Sequence, residues 1–339
     1  ITNTASWASS TWHNVTFTQN DATSSVYVNG VFENASAAGG APQGGSFDLW
    51  LGGEPGQQFS DAYFDEVHFS KTVRTDGWIA TEYNNQSNPG GFYAVGGEET
   101  SPAFANGYTY RRLIDITDAQ VSSGPHTNFP MLVSTTLLDL RTTANGGKVT
   151  DAEGDDIIFT DSNGTTQLAH EVEKYTATTG ELVAWVRVPS LASTSTIYIY
   201  YGNSSVTTFQ GNVTSNGVTG VWDTNFKGAW HLKETGSPPA TWADSTSNAR
   251  TLTTFNNPIA QASGKIGNSM EVDTTDNDGA DASDQVDFDV APFTISAWIY
   301  PTELPSTSTH NGYYIAKRHN AGPWESWMIW SNSNAGGDQ

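Results

Sequence analysis

Short runs in which apolar and polar residues alternate recur along the whole chain, and clusters of glycine, asparagine, aspartate and proline cut between them. Val26-Tyr27-Val28-Asn29-Gly30, Leu182 to Val188, Thr196 to Tyr201 and Phe293 to Tyr300 show the pattern. A period of two sends successive side chains to opposite faces, so each run suits a strand with one face in a core. Repeated at intervals of about 8–12 residues, the pattern constrains the chain to sandwiches or barrels. Asn29-Gly30 and Asn163-Gly164 suit tight turns, because both residue types tolerate positive φ. One stretch departs from this period. Trp78, Ile79, Glu82 and Tyr83 fall at helical spacing behind Thr75 and Asp76, either of which can cap a helix, and Asn88-Pro89-Gly90-Gly91 stops it. The expected fold class is therefore all-β, built of jelly-roll or β-sandwich modules, with one short helix near 76–86.

Composition narrows the partners. The 339 residues carry 14 basic against 36 acidic side chains, a formal net charge of -22. Such a polyanion repels nucleic acid and anionic lipid, so neither is an expected partner. No apolar run approaches the ~18 residues a membrane-spanning helix needs. Cysteine is absent, which excludes disulfides and thiol chemistry. Apolar residues are only 36% of the chain while aromatic residues reach 12%, so Trp, Tyr and Phe must supply much of the core of a thin sandwich. Asn-x-Ser/Thr sequons at Asn14, Asn34, Asn85, Asn163, Asn203 and Asn212 permit glycosylation without requiring it. The start at Ile1 without a visible signal peptide suits a processed protein or a piece of a longer one.

Composition shifts at Gly96-Gly97-Glu98-Glu99-Thr100-Ser101-Pro102, where a linker is expected at 97–102, and more softly around 211–220. The middle stretch carries Tyr110-Arg111-Arg112, Asn128 to Val133, Asp156 to Asp161, Glu171 to Glu173, Trp185 to Leu191 and Ile197 to Asn203. On these it resembles, over 103–212, a domain of unknown function common in secreted bacterial and archaeal multidomain proteins. Trp12 to Phe17, Val26 to Gly30, Leu49 to Gly53 and Tyr63 to Val67 resemble the C-terminal half of a laminin-G-like, concanavalin-type jelly roll. Ala229 to Leu232, Asp244 to Asn248, Gly264 to Met270 and Phe293 to Tyr300 resemble the N-terminal half of the same family. The expected divisions are 1–96, the C-terminal half; 97–102, the linker; 103–220, the domain of unknown function; and 221–339, the N-terminal half.

The halves stand in permuted order. Half a jelly roll exposes strand edges and one face of its core, so something must complete each half. The two ends can fold together in one chain, each half can complete that of a neighbouring copy, or the chain can be one repeat of a tandem array. The last two predict a head-to-tail polymer, because a heterologous contact that does not close generates a filament.

The sequence carries no recognisable catalytic pattern. The concanavalin-type fold hosts glycoside hydrolases that set acids at alternate positions on one strand, and no such pattern occurs; Asp65 and Glu66 are neighbours, which a regular strand sends to opposite faces. The seven His show no zinc-binding spacing, and no nucleophile elbow or phosphate-cradling loop appears. The chain is not expected to be an enzyme. Structural Ca²⁺ is the cofactor to consider. Asp273, Asp276, Asp278, Asp281, Asp284, Asp287 and Asp289 crowd one segment, which reads equally as a solvated loop and does not fit an EF-hand. The resemblance implies a calcium site in the Asp244 to Asn248 turn, with Asp65 on the partner strand; ordinary turn roles are the competing reading. For sugars, Trp324 and Trp330 would share a face opposite Trp327.

The expected function is a structural subunit or tandem repeat of an extracellular filament, stalk or cell-surface adhesin. Its partner would be itself, head to tail, and possibly glycans. The alternative is a monomeric, lectin-like carbohydrate-binding module of a secreted adhesin or polysaccharide-degrading enzyme.

Overall fold

In the computed structural model, strands from the two ends of the chain are interleaved in the same sheets. The structure describes residues 8–37, 48–54, 59–100, 104, 106–215, 218–236, 238–289, 291–303, 312–317 and 327–331. Two compact units result, Ile1–Ile79 with Asn225–Gln339, and Ala80–Thr224.

In the first unit, one sheet runs in the order Ile259–Gln261, Ser269–Val272, Ala62–Ser70, Phe293–Pro301, His13–Gln19, Thr23–Val28 and Val31–Ala37. Phe226–Trp230 pairs with Ala62–Ser70 as well. The facing sheet orders Thr241–Trp242, Leu252–Phe255, Gly279–Ala282, Leu49–Leu51, Gly312–Lys317 and Trp327–Ser331. Phe293–Pro301 thus lies between two strands from the other end of the chain, with Val15 opposite Ala297 and Phe64 opposite Ile299. Val15, Phe64, Val67, Phe69, Ile295 and Ile299 meet Leu51, Trp230, Trp242, Tyr314 and Trp327 in one core. Of the three ways to complete the halves, the structure takes the first, closure within one chain. Among the described residues, the sheets still end in strands with one neighbour only, Ile259–Gln261 and Val31–Ala37 in the larger and Thr241–Trp242 and Trp327–Ser331 in the smaller.

The Asn29-Gly30 turn is as expected. Both residues have positive φ, 52° and 76°, and join two strands through a two-residue loop. That conformation matches strand twist and selects Asn-Gly.

The second unit packs the sheet Gln167–Leu168, Ile158–Thr160, Thr196–Tyr201, Tyr110–Ile116 and Tyr93–Thr100 with the sheet His170–Thr176, Glu181–Leu191 and His126–Thr136. The helix expected near 76–86 spans Asp76–Ser87, with Thr75 Oγ accepting the Trp78 N–H at 3.2 Å. Pro89 ends that ladder, and Asn88 caps a further short turn of helix, Pro89–Phe92. None of the helices among the described residues is long and apolar enough to cross a membrane.

The compact units divide the chain elsewhere than at the expected boundaries. The chain passes from one unit to the other within the Asp76–Ser87 helix and again at Thr224, not at 96 and 220. Residues 97–100, read as linker, belong to the strand Tyr93–Thr100. Glu98 accepts from Lys148 Nζ at 3.2 Å and from the Tyr201 hydroxyl at 3.0 Å, and Glu99 from Arg111 at 2.6 and 2.8 Å. The acidic run is a strand edge matched to cations that arrive later in sequence.

A single buried carboxylate organises the turn end of this unit. Asp156 Oδ2 accepts from Thr150 N at 2.9 Å, Thr150 Oγ at 2.7 Å, and Gly202 N and Asn203 N at 3.1 Å each. Its Oδ1 accepts from Asp151 N at 3.1 Å. The Asp156 and Tyr201-Gly202-Asn203 motifs therefore meet at one anion.

Candidate functional site

Three aromatic rings cross the outward face of the larger sheet of the first unit. Along Ala62–Ser70, Ala62, Phe64, Val67 and Phe69 are in the core, so Tyr63 points away from it. Tyr300 lies directly opposite Tyr63, and Trp12 precedes His13, which pairs with Ile299. The Tyr63 and Tyr300 rings stack, with centroids 5.3 Å apart and planes 18° from parallel. Trp12 meets Tyr300 at 5.4 Å and 59°. All three rings are half-buried. At the Tyr63 end stands Glu271, its partner across the next strand, which also accepts a hydrogen bond from Gln261. Burial raises the Tyr63 hydroxyl pKa, helped by the Glu271 charge, Tyr300 and a hydrogen bond to Glu271. Strand spacing of about 4.8 Å makes this a strip roughly 10 Å across, apolar on its faces and edged by a carboxylate and an amide.

Further along the same strand lies a buried polar cluster. Ser269–Val272 pairs with residues 62–64 and Phe226–Trp230 with residues 67–70, so the edge at 65–66 falls between two short strands. Glu66 occupies this gap with φ of +49°, at an irregularity where Asp65 pairs with Trp298 but His68 with Ser296. A bulge of this kind breaks strict alternation and re-aims a side chain. The neighbours Asp65 and Glu66 are consequently both buried, 0% and 1% exposed, rather than divided between core and solvent. His68 Nε2 lies 3.1 Å from Glu66 Oε2, and His231 Nδ1 lies 3.0 and 2.8 Å from the two Glu66 oxygens. Burial alone would raise the Glu66 pKa. The His231 charge and the hydrogen bonds from His231 and His68 outweigh it and hold the carboxyl well below its ordinary range. No helical His spacing marks this cluster. Its only local signal is Glu66-Val67-His68, and the third member lies 165 residues away in sequence.

The residues expected to hold calcium have these partners in the fold. Asp244 and Asn248 share one turn around Thr246: Asp244 accepts from Ala229 N, Thr246 N, Thr246 Oγ and Arg250 N at 2.8–3.0 Å, and Asn248 Nδ2 donates to Thr246 Oγ and Phe226 O. Asp65 Oδ2 accepts the Ile266 N–H at 2.7 Å. The ammonium of Lys265, lying 4.7 Å from the Trp298 ring centroid, is its charge neighbour; burial lowers the Lys265 pKa and Asp65 opposes this. In the acidic segment, Asp273, Asp276 and Asp278 converge, with Asp273 N donating to Asp278 and Asp276 N to Asp273. Burial, chiefly, lifts Asp278 to about 7.

Of the three tryptophans considered as a platform, Trp327 is in the core and Trp330 is 41% exposed, on opposite faces as alternation requires. Trp324 lies outside the described residues.

Residues 1–80 match the concanavalin A-like lectin/glucanases superfamily. Residues 153–231 match a domain of unknown function (DUF2341), a span that starts inside the second unit and runs through Phe226–Trp230 of the first. Neither a search of curated proteins nor one of solved structures finds a match. The concanavalin-like match is to a carbohydrate-binding or adhesin-like type of module.

Proposed function

We propose that this chain is an extracellular, non-catalytic carbohydrate-binding module of the adhesin type, and that it takes glycan on the Trp12–Tyr300–Tyr63 strip. Within this reading, residues 225–331 are the N-terminal half of the laminin-G-like sandwich whose C-terminal half the 1–80 match covers. The observation that carries the reading is the row of half-buried rings beside Glu271 and Gln261. Sugar rings offer apolar C–H faces and hydroxyl edges. A row of aromatic planes accepts the faces, and a carboxylate with an amide at its end fixes the hydroxyls.

Binding without cleavage is part of the proposal. Hydrolysis requires two opposed carboxyl groups across a glycosidic bond. The neighbouring acids Asp65 and Glu66 are buried and committed to Ile266 and to the two histidines.

Retention of the purified chain on a glycan array, followed by titration calorimetry with the retained sugars, tests the proposal. Trp12→Ala and Tyr300→Ala should each weaken binding at least tenfold, and Tyr300→Phe should bind nearly as the parent does. Absence of retention, or affinity untouched by either alanine, would sink it, and release of reducing sugar would overturn the non-catalytic part.

A further inference from the structure

We propose that Glu66, His68 and His231 form a binding site for a first-row transition-metal ion, with Zn²⁺ the ion their donor set suits best. The three offer two imidazole nitrogens and a carboxylate whose donor atoms all lie within 4.8 Å of one another. Imidazole with carboxylate selects zinc-like ions over Ca²⁺ or Mg²⁺, which prefer oxygen alone. Bonds of about 2.0–2.1 Å in a tetrahedral site separate neighbouring donors by about 3.3 Å. The nitrogens stand 2.8–3.1 Å from the Glu66 oxygens, within a few tenths of an ångström of that separation.

Backbone geometry points the same way. Glu66 at φ +49° and Leu232, next to His231, at φ +54° hold a left-handed conformation that costs non-glycine residues energy. That cost is incurred where it turns a carboxylate toward two imidazoles, and strain of this kind collects at ligand clamps. Exposure of only 1–2% for each member shields the three donors from bulk water, and three protein ligands leave the fourth tetrahedral position to a water molecule. Among the described residues the hydrogen-bond partners of Glu66 are these two rings, so the buried anion is balanced either by a proton held on an imidazole or by a cation. Uptake of Zn²⁺ would displace the protons between the rings and the carboxylate, and affinity would fall as pH falls.

The test uses the full chain freed of metal by chelation. Competition against a chromogenic chelator should give one Zn²⁺ per chain, with a rise in melting temperature. Co²⁺ in its place should show visible absorption of nitrogen–oxygen coordination. Glu66→Gln, His68→Gln and His231→Gln should each weaken Zn²⁺ at least tenfold, whereas Asp276→Asn in the acidic loop should leave it unchanged. Should the variants not fold, the imidazole resonances of His68 and His231 in the unaltered protein decide the matter, since both must shift on adding one equivalent of Zn²⁺. Uptake of less than one ion, uptake that leaves those resonances unmoved, or a cluster that exchanges only protons overturns the proposal.

Discussion

Asp156→Ala is the most destabilising single substitution we expect in the second unit. The carboxylate is fully buried and receives five donors, four on one oxygen. A hydrogen bond to a charged group contributes about 1.5–3 kcal/mol, and a buried donor left without a partner costs about 1–3 kcal/mol. Simple addition over five bonds would overshoot, because they share one anion and water can enter the space. A loss of about 4–5 kcal/mol is the reasoned value, near the upper end for one residue. Asp156→Asn keeps an acceptor toward Thr150, Gly202 and Asn203 but turns an N–H₂ against the Asp151 amide, so it should cost about 2–3 kcal/mol. Denaturant unfolding gives the free energies, and hydrogen-exchange mass spectrometry localises them. Exchange should accelerate in the peptides holding 150–156 and 201–203 before the rest of the unit. A loss below 1 kcal/mol for the alanine variant, or protection unchanged at 202–203, would refute the reasoning.

Two other outcomes are expected. Burial lowers the His170 pKa from 6.5 to about 4, so the unfolded chain binds the proton more readily. Stability is complete above pH 6.5 and lost as pH falls toward 4, by about 2 kcal/mol between pH 7 and 5. Unfolding measured across that range should lose this component in His170→Phe, and identical pH profiles would exclude it. Asp244→Ala should cost about 2–3 kcal/mol in denaturant unfolding through the four donors it abandons; a loss below about 1 kcal/mol would refute this.

Much of the fold is legible because its signals are local. Alternation marks Phe293–Pro301 and Thr196–Tyr201, Asn29-Gly30 fixes a hairpin, and Thr75 caps the helix where its spacing begins. The acidic run at 97–100 is not legible, since the partners that make it a strand edge, Arg111, Lys148 and Tyr201, come from three later elements. The Glu66 cluster escapes for a related reason. Alternation divides Asp65 from Glu66, and only the bulge, together with a strand from the far end of the chain, brings Glu66 to two histidines. The aromatic strip was visible as residues and invisible as a row, because its three members sit on or just before strands that are adjacent in the sheet and remote in sequence.

Closure of the sandwich within one chain is the claim on which the rest stands, and the absence of cysteine makes it directly measurable. Thr16 and Ser296 are cross-strand partners between the two ends. The double variant Thr16→Cys, Ser296→Cys, oxidised at low concentration and digested for mass spectrometry, should yield a 16–296 disulfide in a chain that remains monomeric on non-reducing gels. Disulfide-linked dimers and ladders carrying the same 16–296 bond would mean that the halves are completed between copies, and would contradict the account.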